Sequence, residues 1–171
     1  MKGCPLGHIS VYYNHTVVDC GRKWGEAIML MGEHHHNIDE KNRIVIPSKF
    51  RNELGVEFVI TRGLDECLFI YPMEEWIKIT DKLGTLPFTQ KDARKFTRFF
   101  MSGADICLLD ASGRVSITSP LVEYAGLTKE CVIIGARDHL EIWNETAWNS
   151  FMNDNMENFS DIAENLFKVG E

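Results

Sequence analysis

The chain has 171 residues, 44% of them hydrophobic and 25% charged, with a formal net charge of −7. That is ordinary globular composition: it excludes a disordered or fibrous chain, and the length suffices to bury about two-thirds of the unfolded surface. No apolar run approaches the roughly 20 residues of a membrane span. The five cysteines (Cys4, Cys20, Cys67, Cys107, Cys131) are odd in number and not closely paired, which argues against a disulfide framework or a zinc ribbon and suits a reducing cytoplasm.

Residues 1–28 show no periodicity, carry Gly3, Pro5 and Gly7, and do not form a signal peptide. Trp24-Gly25-Glu26 must be encoded by a purine-rich stretch that can contain GGAG, a few nucleotides before the Met29 codon, where a ribosome-binding site would sit. Translation is therefore expected to start at Met29 (or Met31), with 1–28 a gene-start artefact or a disordered leader.

An internal repeat begins after the leader. Ile38-Asp39-Glu40-Lys41-Asn42-Arg43-Ile44-Val45-Ile46-Pro47 is answered 71 residues later by Leu109-Asp110-Ala111-Ser112-Gly113-Arg114-Val115-Ser116-Ile117-Thr118. After a one-residue slip, Phe58–Gly63 answers Glu130–Gly135, Leu68–Tyr71 answers Leu140–Trp143, and Trp76 answers Trp148. Each copy reads as a strand, a tight turn and a second strand, then two more apolar strands. A helix is expected after Pro47 and its counterpart after Pro120. The turn residues Asn42 and Gly113 are the two types that most readily accept positive φ. Asp39 and Asp110 can accept backbone N–H bonds across their turns, and the following Arg43 and Arg114 project from the loop edge. One such sheet cannot cover its own apolar face, so the two copies are expected to pack into one closed or nearly closed barrel.

Between the copies, Ala93, Phe96, Phe99 and Phe100 form an apolar stripe at helical spacing, with Lys91, Arg94, Lys95 and Arg98 on the other face. Thr89 is read as its N-cap, with Asp92 three residues on. After Trp148, the apolar positions Phe151, Met152, Met156, Phe159, Ile162, Leu166 and Phe167 suggest a docked amphipathic helix.

Charge is unevenly distributed. Residues 144–171 hold six acids against Lys168, so most of the net negative charge lies in the tail. Lys41, Arg43, Lys49 and Arg51 form an acid-free basic stretch, and residues 82–98 carry five bases against Asp92. Screening limits such fields to roughly 8 Å at physiological salt, so local charge rather than the net value steers a polyanion.

Met29–Glu33, Asp39–Pro47, Thr61–Leu68, Asp92–Phe100 and Ser102-Gly103-Ala104 occur in the order of, and resemble, the corresponding motifs of the MraZ family of bacterial transcriptional regulators. The resemblance spans roughly residues 29–150. It implies an α+β, mainly β fold: two pseudo-repeated AbrB-like (SpoVT-AbrB) β-α units in one double-split barrel, plus connecting and C-terminal helices. The repeats are placed at 33–75 and 104–147, a connecting helical segment at 76–103 and an acidic helical tail at 148–171. The implied function is sequence-specific binding of promoter direct repeats by a homo-oligomeric ring that represses its own division and cell-wall operon. The implied partners are double-stranded DNA and other copies of the chain, in the cytoplasm and at the nucleoid, with no membrane. Carried over residue by residue, the family pattern assigns DNA contact to Lys41, Arg43 and Arg114, and the basic stretch adds Lys49. Asn42 stands where the family has Gly; Thr118 and Val122 stand where the first copy has Pro47 and Arg51, and Ser112 where a Lys would be expected. The first copy is therefore expected to dominate DNA contact.

Arginine presents a planar fork that matches guanine O6 and N7 and discriminates by about 1–3 kcal/mol, whereas Lys41 suits a phosphate. The competing reading for Arg43 and Arg114 is a salt bridge with Asp39 or Asp110 inside the turn; Arg51 is read as structural. A ring displays the turn at fixed intervals, which raises affinity by effective concentration and fits direct repeats. No cofactor, metal or catalytic motif is indicated. His34 and His36 could chelate from one strand face, but no third ligand completes a site, and an exposed polar strand is the expected reading. The alternative function is a ring-forming interaction scaffold with a protein partner and incidental DNA binding; an enzyme dependent on metal at His34 or His36 is the weaker one.

Overall fold

The computed structural model describes residues 29–168; the expectations about the leader and the Met29 start, and Cys4 and Cys20, lie outside them. The first copy contributes β1 (Leu30–Asn37), β2 (Arg43–Val45), α1 (Ser48–Leu54), β3 (Glu57–Arg62), β4 (Leu68–Pro72) and α2 (Met73–Gly84). Helix α3 (Lys91–Ser102) precedes β5 (Asp105–Leu108), β6 (Arg114–Ser116), α4 (Ser119–Tyr124), β7 (Glu130–Arg137), β8 (Leu140–Asn144), α5 (Glu145–Asn155) and α6 (Phe159–Lys168).

Six strands form an antiparallel sheet in the order β1-β7-β8-β4-β3-β5, and β2 and β6 form a separate two-stranded ribbon. The order is a palindrome under exchange of the copies. The first strand of each copy pairs with the third strand of the other, and β4 meets β8 at the centre with Phe69 opposite Glu141. The fold is thus α+β with the two copies interleaved. The sheet does not close into a barrel: β1 and β5 are both edges. The physical reason lies in the turns. They lead β2 and β6 away from their own preceding strands and onto each other, and a single bridge, Ile38 to Ile44, ties β1 to β2.

The central strands are buried on both faces, which is why they read as unbroken apolar runs. Side chains alternate between two cores. Phe58, Ile60, Leu68, Ile70, Ile133 and Ile142 join Ile44, Ile46, Phe50 and Val115 under the ribbon, α1 and α4. Val59, Phe69, Tyr71, Val132 and Trp143 join Trp76, Phe100 and Trp148 from α2, α3 and α5 on the other side. Pro47 and Pro72 precede α1 and α2, Pro120 sits in the first turn of α4, and Asn144 caps α5 by accepting from the Ala147 N–H at 3.1 Å.

Thr89 is not the cap of α3. It lies inside a turn closed by the Gln90 N–H on the Pro87 carbonyl, so the helix begins at Lys91 and Gln90 is its N-cap, with no side-chain capping bond. The Phe stripe divides: Phe100 is buried, Phe99 half-buried, and Phe96 is exposed while stacking on Phe100 at 5.8 Å. Thr61, fully buried on β3, donates to the Phe100 carbonyl at 2.7 Å and fastens α3 to the sheet. In the tail, α5 docks through Trp148 against Trp143, whereas the residues of α6 from Phe159 to Phe167 are exposed and the helix is not docked on the other described residues.

Candidate nucleic-acid interface

The two Asp-Arg turns have nearly the same geometry. In the first, the Asn42 N–H donates to the Asp39 carbonyl and the Asp39 N–H to the Arg43 carbonyl, both at 2.9 Å. The carboxylate then organises the loop: Asp39 Oδ1 accepts from the Lys41 and Arg43 N–H groups at 2.9 Å, and Oδ2 accepts from Arg43 Nε at 2.8 Å and Nη2 at 2.7 Å. In the second, Gly113 donates to the Asp110 carbonyl, Asp110 Oδ1 accepts from Ser112 and Arg114 N–H, and Oδ2 accepts from Arg114 Nε at 2.8 Å. Asn42 (φ +56°) and Gly113 (φ +73°) both occupy the left-handed region that lets the chain return as a strand. Neither turn asks for a bulky side chain there, which explains how Asn can replace Gly.

Electrostatics follow from these bonds. The Arg43 guanidinium, then the Arg43 N–H, hold the Asp39 carboxyl down at about 2. The Arg114 N–H and then its guanidinium lower Asp110. Arg43 is raised by Asp39, and Asp110 of the other turn adds to the effect. The competing reading of both arginines is therefore realised in the free protein: each is paired inside its turn. The pairing also fixes the direction of the fork, and Arg43 Nη1 takes no part in it.

The ribbon brings the turns side by side. Arg43 lies opposite Ser116 and Val45 opposite Arg114. Each turn also accepts a bond from the other copy: Ile117 N–H to the Asn42 carbonyl at 2.8 Å, and Ile46 N–H to the Gly113 carbonyl at 3.0 Å. Lys41 is exposed at the tip of the first turn. Lys49 is apart from it, on α1, with its ammonium 5.0 Å from the Phe50 ring centroid and close to Gly32 on β1.

Arg51 has a part that its position after Pro47 does not disclose. Its Nε donates to the Ile46 carbonyl at 2.8 Å, and its guanidinium lies over Gly113, where a Cβ would collide with it. The first copy's helix thereby braces the second copy's turn. The only trace of this in the sequence is the Gly113–Asn42 difference, which cannot be interpreted without the fold.

The three histidines split across β1. His34 packs edge-on against Phe50 at 5.3 Å; burial, then His34 and Arg51, lower His36, and both rings are half-buried rather than exposed as expected. His35, on the other face, meets Glu145 at 2.7 Å and Glu33 at 3.1 Å, which raise it. Among the described residues no group of three or more His, Cys, Asp or Glu is placed to hold a metal. Burial pushes the thiols up, Cys67 to about 12 and Cys107 and Cys131 to about 11, the opposite of a reactive thiolate. No helix among the described residues is long and apolar enough to cross a membrane.

Fold and turns together define a class: a duplicated β-α protein that presents two paired Asp-Arg turns on one ribbon. The family described as "MraZ protein, putative antitoxin-like" matches residues 29–99 and again 100–170, once per copy, and the chain belongs to this MraZ family. Among its relatives, the protein named "Transcriptional regulator MraZ" from Lactobacillus gasseri is 53% identical over 138 residues, covering 81% of this chain and 96% of that protein.

Proposed function

We propose that this protein is a sequence-specific DNA-binding transcriptional regulator that represses its own division and cell-wall operon. In this reading it acts at the nucleoid as a homo-oligomeric ring on promoter direct repeats, and its interleaved copies are an open form of the AbrB-type double-split barrel. One observation carries the reading: two Asp-Arg turns of matching geometry stand together on the β2–β6 ribbon, each fork oriented by its own carboxylate. A fork already held in place loses less entropy on meeting a base edge. In this role Arg43 reads a base, Lys41 neutralises a phosphate, and Arg114, beside Ser112 rather than a lysine, contributes less. Lys49, set back on α1, adds to the field rather than to the reading. Weak binding by one protomer becomes useful affinity only when several turns engage several repeats.

The test is fluorescence anisotropy on the DNA upstream of the gene against a scrambled duplex, over a salt series. Arg43→Ala is expected to lose roughly 5- to 150-fold in preference for the upstream DNA while staying folded and of unchanged mass. Lys41→Ala should weaken both duplexes alike and flatten the salt slope by about one charge. Equal binding of the two duplexes by the unmodified protein would overturn the reading. The exposed amphipathic α6 favours a second reading, a ring scaffold for a protein partner; salt-insensitive association with such a partner, without DNA preference, would put it first.

A further inference from the structure

Two surfaces of the chain are uncovered, and they are complementary. The first is α6. Phe159, Ile162, Ala163 and Leu166 fall at helical spacing on one face, and Leu166 is 71% exposed. Asp161 and Glu164 lie on the same helix against Lys168 at its end, and Asp154 and Glu157 precede it, so the stretch is net acidic as well as apolar.

The second surface is an open groove of about 300 Å³ where the end of α2 meets the start of α3. Its floor is apolar: Leu83, Leu86, Phe88 and Ala93, with Phe88 81% exposed. Its rim is basic. Arg98 lines it, Lys82 and Lys91 lie one and two positions along the chain from the lining residues Leu83 and Ala93, and none of these three makes an ion pair among the described residues. Arg94 is committed to shaping the rim, since its Nη1 donates to the Phe88 and Thr89 carbonyls at 2.8 and 2.9 Å.

The duplication makes this pair of surfaces intelligible. The family matches end each copy with two helices, α2 and α3 in the first, α5 and α6 in the second. In the first copy the last helix is fastened to the sheet by Thr61 and by Arg62, which donates to the Phe99 carbonyl at 3.0 Å. In the second copy its counterpart α6 leaves its apolar face exposed among the described residues. A patch and a complementary groove at different places on one molecule, both exposed among the described residues, can make a head-to-tail contact between copies, and such contacts form a ring where the rotation between copies closes.

We propose that α6 of one protomer docks in the α2–α3 groove of the next, apolar face down, with its carboxylates against the Lys82, Lys91 and Arg98 rim. This rests on the self-assembly part of the proposed function and names the contact that would produce it. Rim charge of opposite sign sets orientation and encounter rate, while the buried apolar anchors hold the complex.

Two measurements test it on the full chain. In sedimentation velocity across a dilution series, the unmodified protein is expected to be oligomeric. Leu166→Asp and Phe88→Asp, both at exposed positions, should each weaken association roughly tenfold or more. Ser160→Ala, on the polar face of α6, should not. Second, a 1:1 mixture of ¹⁴N- and ¹⁵N-labelled protein is treated with a carbodiimide, which joins a carboxylate to a lysine amine. Mixed-isotope peptides linking Asp161 or Glu164 to Lys82 or Lys91 are expected. Links found only within one isotope mean that α6 folds back on its own chain, and links to lysines elsewhere mean another surface receives it; either overturns the proposal. An unmodified protein that is monomeric throughout overturns the self-assembly reading as well. One that is oligomeric but indifferent to both Asp variants overturns this contact alone.

Discussion

Replacing Gly113 with alanine isolates the brace between the two copies. Gly113 sits at φ +73°, and a Cβ there would enter the Arg51 guanidinium. The left-handed conformation by itself costs an alanine about 1–2 kcal/mol. The clash is with the end of a flexible side chain, so Arg51 can swing aside, but its Nε then leaves the Ile46 carbonyl, on a fully buried residue. Leaving that acceptor without its donor adds about 1–2 kcal/mol. Gly113→Ala is therefore expected to cost about 2–4 kcal/mol. Gly126→Ala is the control: φ is +54° and nothing lies within 4 Å of its Cβ position, so it should cost only the backbone part, about 1–2 kcal/mol. Urea unfolding of the four members of the Gly113→Ala, Arg51→Ala cycle measures the coupling. In the Arg51→Ala background the Gly113→Ala cost should fall to that of Gly126→Ala. A coupling below about 0.5 kcal/mol, the usual scatter of independent sites, would refute the brace.

Thr61→Val keeps the shape of a fully buried side chain but leaves the Phe100 carbonyl without its donor; a loss of about 1–3 kcal/mol, with faster hydrogen exchange in α3, is expected in chemical denaturation. A neutral substitution would mean that the bond does not fasten α3. Asp39 is held below its ordinary 3.8 at about 2, so the stability it contributes is fully present above pH 4 and is lost as pH falls toward 2. NMR titration of its carboxyl should show that depression in the unmodified protein and a return toward 3.8 in Arg43→Ala; an unchanged midpoint would mean the turn N–H groups alone are responsible. Ile142→Ala, fully buried opposite Ile133 and Leu68, should cost about 2–5 kcal/mol without changing DNA preference at temperatures where the protein stays folded. A selective loss of preference would show that the core and the turns are not separable.

The sequence by itself determined everything that repeats locally. The 71-residue echo, the alternation of apolar residues and the positive-φ residue types at 42 and 113 were enough to place the strands, the turns and the helix after Pro47, because short-range sterics and burial period dictate them; the helix expected after Pro120 begins at Ser119, with the proline in its first turn. The two sets of side chains at each turn were legible too, since an Asp four residues before an Arg is a local arrangement. Only the tertiary structure decided how the copies join. Strands cannot announce their partners, and each copy lends its first strand to the other, so an open palindromic sheet with a crossed ribbon stood where a closed or nearly closed barrel was expected. For the same reason the sequence left Arg51 without its role: it acts across copies, on a glycine 62 positions away. Spacing suggested one docked amphipathic helix after Trp148, where the structure has two, the end of α5 and α6, and whether an apolar face is covered depends on what lies beneath it. Among the described residues Trp148 is covered and Leu166 is left exposed.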